Sequence, residues 1–122
     1  MKIISTTEAP AAVGPYSQAI VTGNLLFTAG QCGFVPETGI APEGLEAQAE
    51  QACKNVGAIL KAAGTDFTKV VKTTCFLANM GDFAAFNAIY AKYFVSCPAR
   101  SCVAAKDLPK GVLCEIEAIA EI

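Results

Sequence analysis

The chain has 122 residues, 53% of them apolar, and a formal net charge of −2. That length suits one domain spanning residues 1–122 with one modest core, and the composition excludes a disordered chain; no run of about 18 uncharged apolar residues suggests a membrane span. The lysines are scattered with no basic run, so the electrostatic footprint of a nucleic-acid binder is missing.

The opening MKIISTTEAP carries one lysine and too short an apolar run for a signal peptide, so nothing directs export. Six cysteines without a C-x-x-C pair then point to reduced thiols in a cytoplasmic protein. With no histidine, a zinc or iron-sulfur site would need thiolates gathered from distant segments, and no metal is expected. Cys53, Cys75 and Cys114 read best as small buried apolar groups.

SQAIVTGNLLFTAGQCGF breaks at Gly23-Asn24 between two strand-like runs, the mark of a tight hairpin. Leu25 to Gln31 is apolar on nearly both faces, so this strand expects cover on two sides. Residues 33–44, with Pro36, Gly39, Pro42 and Gly44, predict a loop. From Leu45 to about Ala63 the apolar residues recur at helical spacing, and Gly64 stands where a C-terminal cap belongs. KVVKTTCFLAN (69–79) predicts a strand with Val71, Thr73, Cys75 and Leu77 on one face.

Asp82 is placed to cap a second helix over 83–94, whose Phe83, Phe86, Ile89, Tyr90, Tyr93 and Phe94 form a broad aromatic stripe. Pro98 ends it. Two strands close the chain, Arg100 to Ala105 and Val112 to Ala120, joined by a loop with Pro109 and Gly111. In the last strand Val112, Cys114, Ile116, Ala118 and Ala120 make one wholly apolar face, expected to meet the core. The order is ββαβαββ: an α+β mixed sheet with two helices on one face. Leu25, Phe27, Phe76, Leu113 and Ile119 would then stand on the other face. They are too apolar to leave in water, so sheet-to-sheet association in a homo-oligomer is expected.

Without histidine, the Ser-His-Asp and Cys-His nucleophile arrangements are excluded. No phosphate-binding loop motif is present either; Thr28-Ala29-Gly30-Gln31 is only a glycine in a strand. Arg100 is the sole arginine among the basic residues, and its side chain shares a face with Cys102. A planar guanidinium offers a carboxylate two parallel donors, which lysine cannot, so Arg100 is either a geometry-specific anion clamp or an ion pair. Glu115 and Glu117 are either a solvated face or proton-relaying carboxylates drawn partly out of water. Tyr16, set by Pro15 in GPYSQ, is a candidate hydroxyl or a packed ring, and Asn87 a candidate for capping a ligand or a backbone.

APAAVGPYSQ (9–18), the Ala-Gly-Gln of 29–31, AQAEQACKNV (47–56), VVKTTCFL (70–77), FNAIYAKYF (86–94), PARSCV (98–103) and LPKGVLCEIEAIA (108–120) run end to end through the chain. PARS followed by EIEAIA is the specific part of this pattern. On these segments the chain resembles the reactive-intermediate deaminase, or YjgF, family, whose members hydrolyse enamines and imines. The resemblance implies a chorismate-mutase-like fold assembled as a homotrimer around a central barrel, with clefts between subunits. It implies that Arg100 holds the substrate carboxylate, that Tyr16 and Glu115 surround the reacting carbon, and that Gly30, Asn87 and Cys102 line the cleft. The implied substrates are small 2-imino acids such as 2-iminobutanoate and 2-iminopropanoate, handled without cofactor or metal. Competing readings are a non-catalytic binder of small carboxylates and a ribonuclease or translation inhibitor. Ala29, where many relatives carry serine, and Cys97 before Pro98 depart from the family pattern.

Overall fold

The computed structural model describes residues 1–122 and begins with a strand the sequence pattern does not announce, β1 (Lys2–Ile4). It pairs antiparallel with β2 (Ala19–Thr22), which turns at Gly23-Asn24 into β3 (Leu25–Thr28) as expected. Gly23 takes φ 58°, the left-handed value that the first position of a primed hairpin turn requires. The single strand expected from Leu25 to Gln31 is divided, and β4 (Gln31–Cys32) follows after a break. Both pieces pair with the last strand, β7 (Cys114–Glu121), which lies mid-sheet. β5 (Val70–Leu77) flanks β7 on its other side and pairs in parallel with β6 (Ala99–Ala104). The order is β1-β2-β3-β7-β5-β6, so β5 and β6 need a crossover, made by the second helix.

Helix α1 (Leu45–Ala62) buries Leu45, Ala49, Ala52, Cys53, Val56, Ile59 and Leu60 against the sheet. Gly64 (φ 81°) closes it: the Gly64 N–H donates to the Lys61 carbonyl and the Thr65 N–H to the Leu60 carbonyl, the paired bonds of a Schellman cap. The periodicity omits Gln48 and Asn55, which are also buried. Asn55 Nδ2 donates to the carbonyls of Cys32 (3.0 Å) and Phe34 (2.9 Å). Gln48 Nε2 donates to the Pro42 carbonyl and its Oε1 accepts from the Leu113 N–H. These amides satisfy backbone groups that the loop cannot pair itself, so they fix β4 and residues 33–44 against the helix.

Gly33 lies in that contact. A Cβ there would sit 2.8 Å from Gln48 Cα and overlap the Gln48 carbonyl, a collision with backbone that no rotamer change relieves. Gly33→Ala is expected to cost about 2–3 kcal/mol, read as a lower urea midpoint with unchanged slope at fixed protein concentration. An unchanged midpoint would show that the helix and loop yield freely.

Helix α2 (Phe83–Tyr93) packs its aromatic stripe inward: Phe86, Tyr90 and the following Phe94 are buried, with the Tyr90 and Phe94 rings stacked at 4.3 Å. Asp82 does not cap it. A 3₁₀ turn, Met80–Asp82, leads straight into the helix, and Asn79 starts that turn by accepting from the Gly81 N–H at 2.7 Å. Asp82 therefore has turn geometry (φ −86°, ψ 1°) and makes no side-chain cap bond.

β5 carries a second correction. A bulge between Val70 and Lys72 inserts Val71 as an extra residue, so Val70 enters the core and Val71 is exposed, while Thr73, Cys75 and Leu77 stay buried. β7 behaves as its alternation predicts: Cys114, Ile116, Ala118 and Ala120 are buried, preceded by Val112, although the strand itself starts only at Cys114. All six cysteines are free, and Cys53, Cys75 and Cys114 are fully buried. Both helices lie on one face. The opposite face leaves Phe27 39% and Val103 49% exposed, with Leu25, Phe76 and Ile119 half-buried around them; Leu113, expected there too, precedes the strand and packs against the core instead.

Candidate active site

The break between β3 and β4 builds one half of the site. Thr28, Ala29 and Gly30 stand opposite only Glu117 and Ala118, so the chain bulges by one residue. The bulge is pinned: Ala118 N–H donates to Thr28 Oγ1 at 3.0 Å and Ala29 N–H to the Gln18 carbonyl at 2.8 Å. Beyond it Cys32 comes directly opposite Glu115, and Gly30 faces the Glu115 side chain. A Cβ on Gly30 would lie 2.8 Å from Glu115 Cδ and overlap Oε2, so a larger residue there would push this carboxylate out of the position it holds. Gly30 is thus a clearance at a bulge and not a glycine within a continuous strand.

Glu115 opens into a cavity of about 610 Å³ whose walls include Pro10, Val13, Phe34 and Pro36, with Tyr16 and Lys110 at its rim. Tyr16 is 51% exposed, and its hydroxyl accepts from the Val13 N–H at 3.3 Å, leaving its own proton free to donate. Gln18, buried beneath, accepts from the Thr6 N–H and donates to the carbonyls of Thr6, Ala9 and Pro10. That clip holds the segment forming one wall. Lys110 has φ 53° and lays its ammonium 5.4 Å from the centre of the Phe34 ring.

The other half is built on β6 and α2. Arg100 lies opposite Thr73 on the helix side of the sheet, its Nη1 donating to Asn87 Oδ1 at 2.9 Å. The guanidinium carbon stands 4.7 Å from the centre of the Tyr90 ring and 5.5 Å from that of Phe83. Tyr90 is itself fixed by a 2.7 Å hydrogen bond between its hydroxyl and Thr73 Oγ1, and burial holds that hydroxyl protonated, its pKa pushed up to about 12. Arg100 is therefore an ordered, half-buried cation with no carboxylate partner in its own chain.

Cys102 shares this face, half-buried beside the core. Burial raises its thiol pKa and Arg100 opposes that effect without cancelling it, so Cys102 is a thiol and not a poised thiolate.

The family profile described as Endoribonuclease L-PSP matches residues 6–122. The chain belongs to that family. It is 53% identical over 121 residues to the mouse 2-iminobutanoate/2-iminopropanoate deaminase, covering 98% of this chain and 90% of that one. Among solved structures, RidA from the Antarctic bacterium Psychrobacter sp. superposes with a TM-score of 0.96 at 45% identity, covering 100% of both chains. E. coli TdcF with bound serine superposes equally well, TM-score 0.96 at 42% identity, covering 100% of this chain and 99% of that one.

In this L-PSP family member the six residues singled out from sequence form two groups. Tyr16, Gly30 and Glu115 come together, as do Arg100, Asn87 and Cys102, but the groups lie apart within one chain. Glu115 alternates with the buried Cys114 and Ile116 and so points away from the helices, whereas Arg100 packs on α2. Three features escape the sequence pattern. Cys32 donates its thiol to Glu115 Oε1 at 3.6 Å, Tyr90 and Phe83 form the platform for Arg100, and Lys110 joins the cavity rim. The aromatic spacing of α2 signals burial and cannot reveal that two of its rings also carry a cation.

Proposed function

We propose that this chain is a 2-iminobutanoate/2-iminopropanoate deaminase, hydrolysing reactive 2-imino acids, and the enamines in equilibrium with them, to 2-oxo acids and ammonia. The observation that carries the proposal is a caged arginine and an open carboxylate on opposite faces of one sheet, in a chain 53% identical to a deaminase of that name. The two groups meet only if one copy brings its Arg100 to the Glu115 cavity of a neighbour. The uncovered apolar face supports such a contact, and we take the assembly to be a homotrimer with one cleft at each subunit contact. Free thiols fit the cytoplasm as its compartment, and no helix is long and apolar enough to cross a membrane.

In the cleft Arg100, with one donor spent on Asn87, uses its others to hold the substrate carboxylate. Held this way, C2 of the imino acid faces Glu115 of the neighbour. Water adds to C2 of the protonated imine while Glu115 takes one of its protons, giving a neutral carbinolamine. Glu115 then returns that proton to the amino nitrogen, the C–N bond breaks and ammonia leaves, and Glu115 takes the proton of the remaining hydroxyl as it becomes the carbonyl and passes it to solvent. Tyr16 donates to the polar atom developing at C2. The imine carbon is already electrophilic, so orientation and one proton shuttle suffice.

The bound serine of E. coli TdcF favours a second reading, a non-catalytic binder of small carboxylates using the same arginine. A ribonuclease finds less support: the chain has no histidine for phosphodiester acid–base work and no basic run. The deciding measurement is the rate of 2-oxo acid formation from a 2-imino acid generated in situ, with and without the protein. Acceleration is expected; an unaltered rate would leave only the binder. Arg100→Lys is expected to raise KM about 10–100-fold, because an ammonium loses both the parallel donor pair and the place of the guanidinium over the Tyr90 ring. A lysine variant equal to wild type would remove Arg100 from the site.

A further inference from the structure

Glu115 is the only proton-transferring carboxylate in the proposed site, and something must hold it in place, because the cavity around it is open. One oxygen, Oε2, occupies the space that any side chain at position 30 would fill. The other, Oε1, receives a single side-chain donor, the Cys32 thiol at 3.6 Å. Cys32 is brought there by the backbone, since the bulge at Thr28–Gly30 sets it directly opposite Glu115 in the ladder. Its carbonyl is tied to α1 through Asn55 Nδ2 at 3.0 Å, which fixes the backbone that carries the thiol. Cys32 is buried yet stands outside the hydrophobic core cluster that holds Cys53, Cys75 and Cys114. It lines the same cavity as Glu115.

We propose that Cys32 is a positioning residue for imine hydrolysis: its S–H holds Glu115 Oε1 and leaves Oε2, above Gly30, as the oxygen that exchanges protons with water and substrate. Burial and the adjacent Glu115 carboxylate keep the Cys32 proton on sulfur, pushing its pKa up to about 12, so it remains a donor across the neutral range. The assignment rests on the deaminase reading of the site. It gives the two carboxylate oxygens different roles: Oε1 is anchored, and Oε2 has no protein donor. A thiol is a weak donor, so the expected effect is modest.

Cys32→Val keeps bulk and removes the donor, whereas Cys32→Ser keeps a donor. In the in situ imine assay Cys32→Val is expected to lower kcat about five- to tenfold with KM unchanged, and Cys32→Ser to stay within about twofold of wild type. In a Glu115→Gln background Cys32→Val is expected to lower kcat by less than about twofold, because the anchored group no longer accepts a proton. A valine variant equal to wild type, or a serine variant as slow as valine, overturns the proposal. An activity-independent reading comes from the infrared S–H stretch of Cys32, isolated by subtracting the Cys32→Ser spectrum. The band is expected to move to higher frequency in Glu115→Gln, and a band that does not move overturns the contact. If the wild type gives no turnover, the deaminase reading and the kinetic role fall together, while the band still decides whether the thiol holds the carboxylate.

Discussion

Glu115→Gln is expected to lower kcat for imine hydrolysis about 10²–10⁴-fold while changing the affinity for a non-reacting 2-oxo acid such as pyruvate by less than about twofold. Glutamine matches glutamate in shape and retains a carbonyl oxygen for the Cys32 thiol, so the cavity over Gly30 keeps its form. What it cannot do is accept a proton from water and return it to nitrogen. A variant that lost binding and turnover in equal measure would identify Glu115 as part of the cavity wall alone. Single-turnover measurements sharpen the distinction, because they separate slow chemistry from slow release of product.

Subunits carrying Arg100→Ala, mixed by unfolding and refolding with an equal amount of subunits carrying Glu115→Gln, are expected to recover roughly a quarter of wild-type turnover. Each variant alone is close to inactive, since every cleft of its assembly lacks either the anchor or the shuttle. In a random mixture a cleft is intact only when its arginine comes from a Glu115→Gln subunit and its glutamate from an Arg100→Ala subunit, each with a chance of about one half. The prediction follows directly from the placement of Arg100 on the α2 side and Glu115 on the opposite side of the same sheet. No recovery, from mixtures shown by mass spectrometry to contain both subunits, would mean that both residues act within one chain or not at all. A monomer by sedimentation would exclude the shared cleft outright.

The helices were legible because their signals are local. Apolar recurrence marks α1, Gly64 closes it through backbone bonds within a few residues, and the alternation of β7 assigns its core face without reference to any other strand. β1 was not legible, since three residues paired only at the sheet edge carry too short a pattern. The inward place of Val71 was misassigned for a related reason: alternation assumes an unbroken ladder, and one inserted residue reverses every face on one side of it. Asp82 failed as a cap because the preceding 3₁₀ turn, not the residue type, sets its backbone geometry.

The chemistry divides in the same way. A lone arginine, a final strand bearing Glu115 and the absence of histidine are properties of the chain as written, and with the family motifs they determine which groups are available and which mechanisms are excluded. Alternation relates a residue only to its own strand. Whether Arg100 and Glu115 share a face depends on register across β6, β5 and β7, which no local pattern encodes. Folding decided that they do not, and it also decided that a bulge at Thr28–Gly30 brings Cys32 to the carboxylate and that Tyr90 and Asn87 hold the guanidinium. Those contacts join segments up to 83 residues apart in the chain, so they exist only once the sheet has closed.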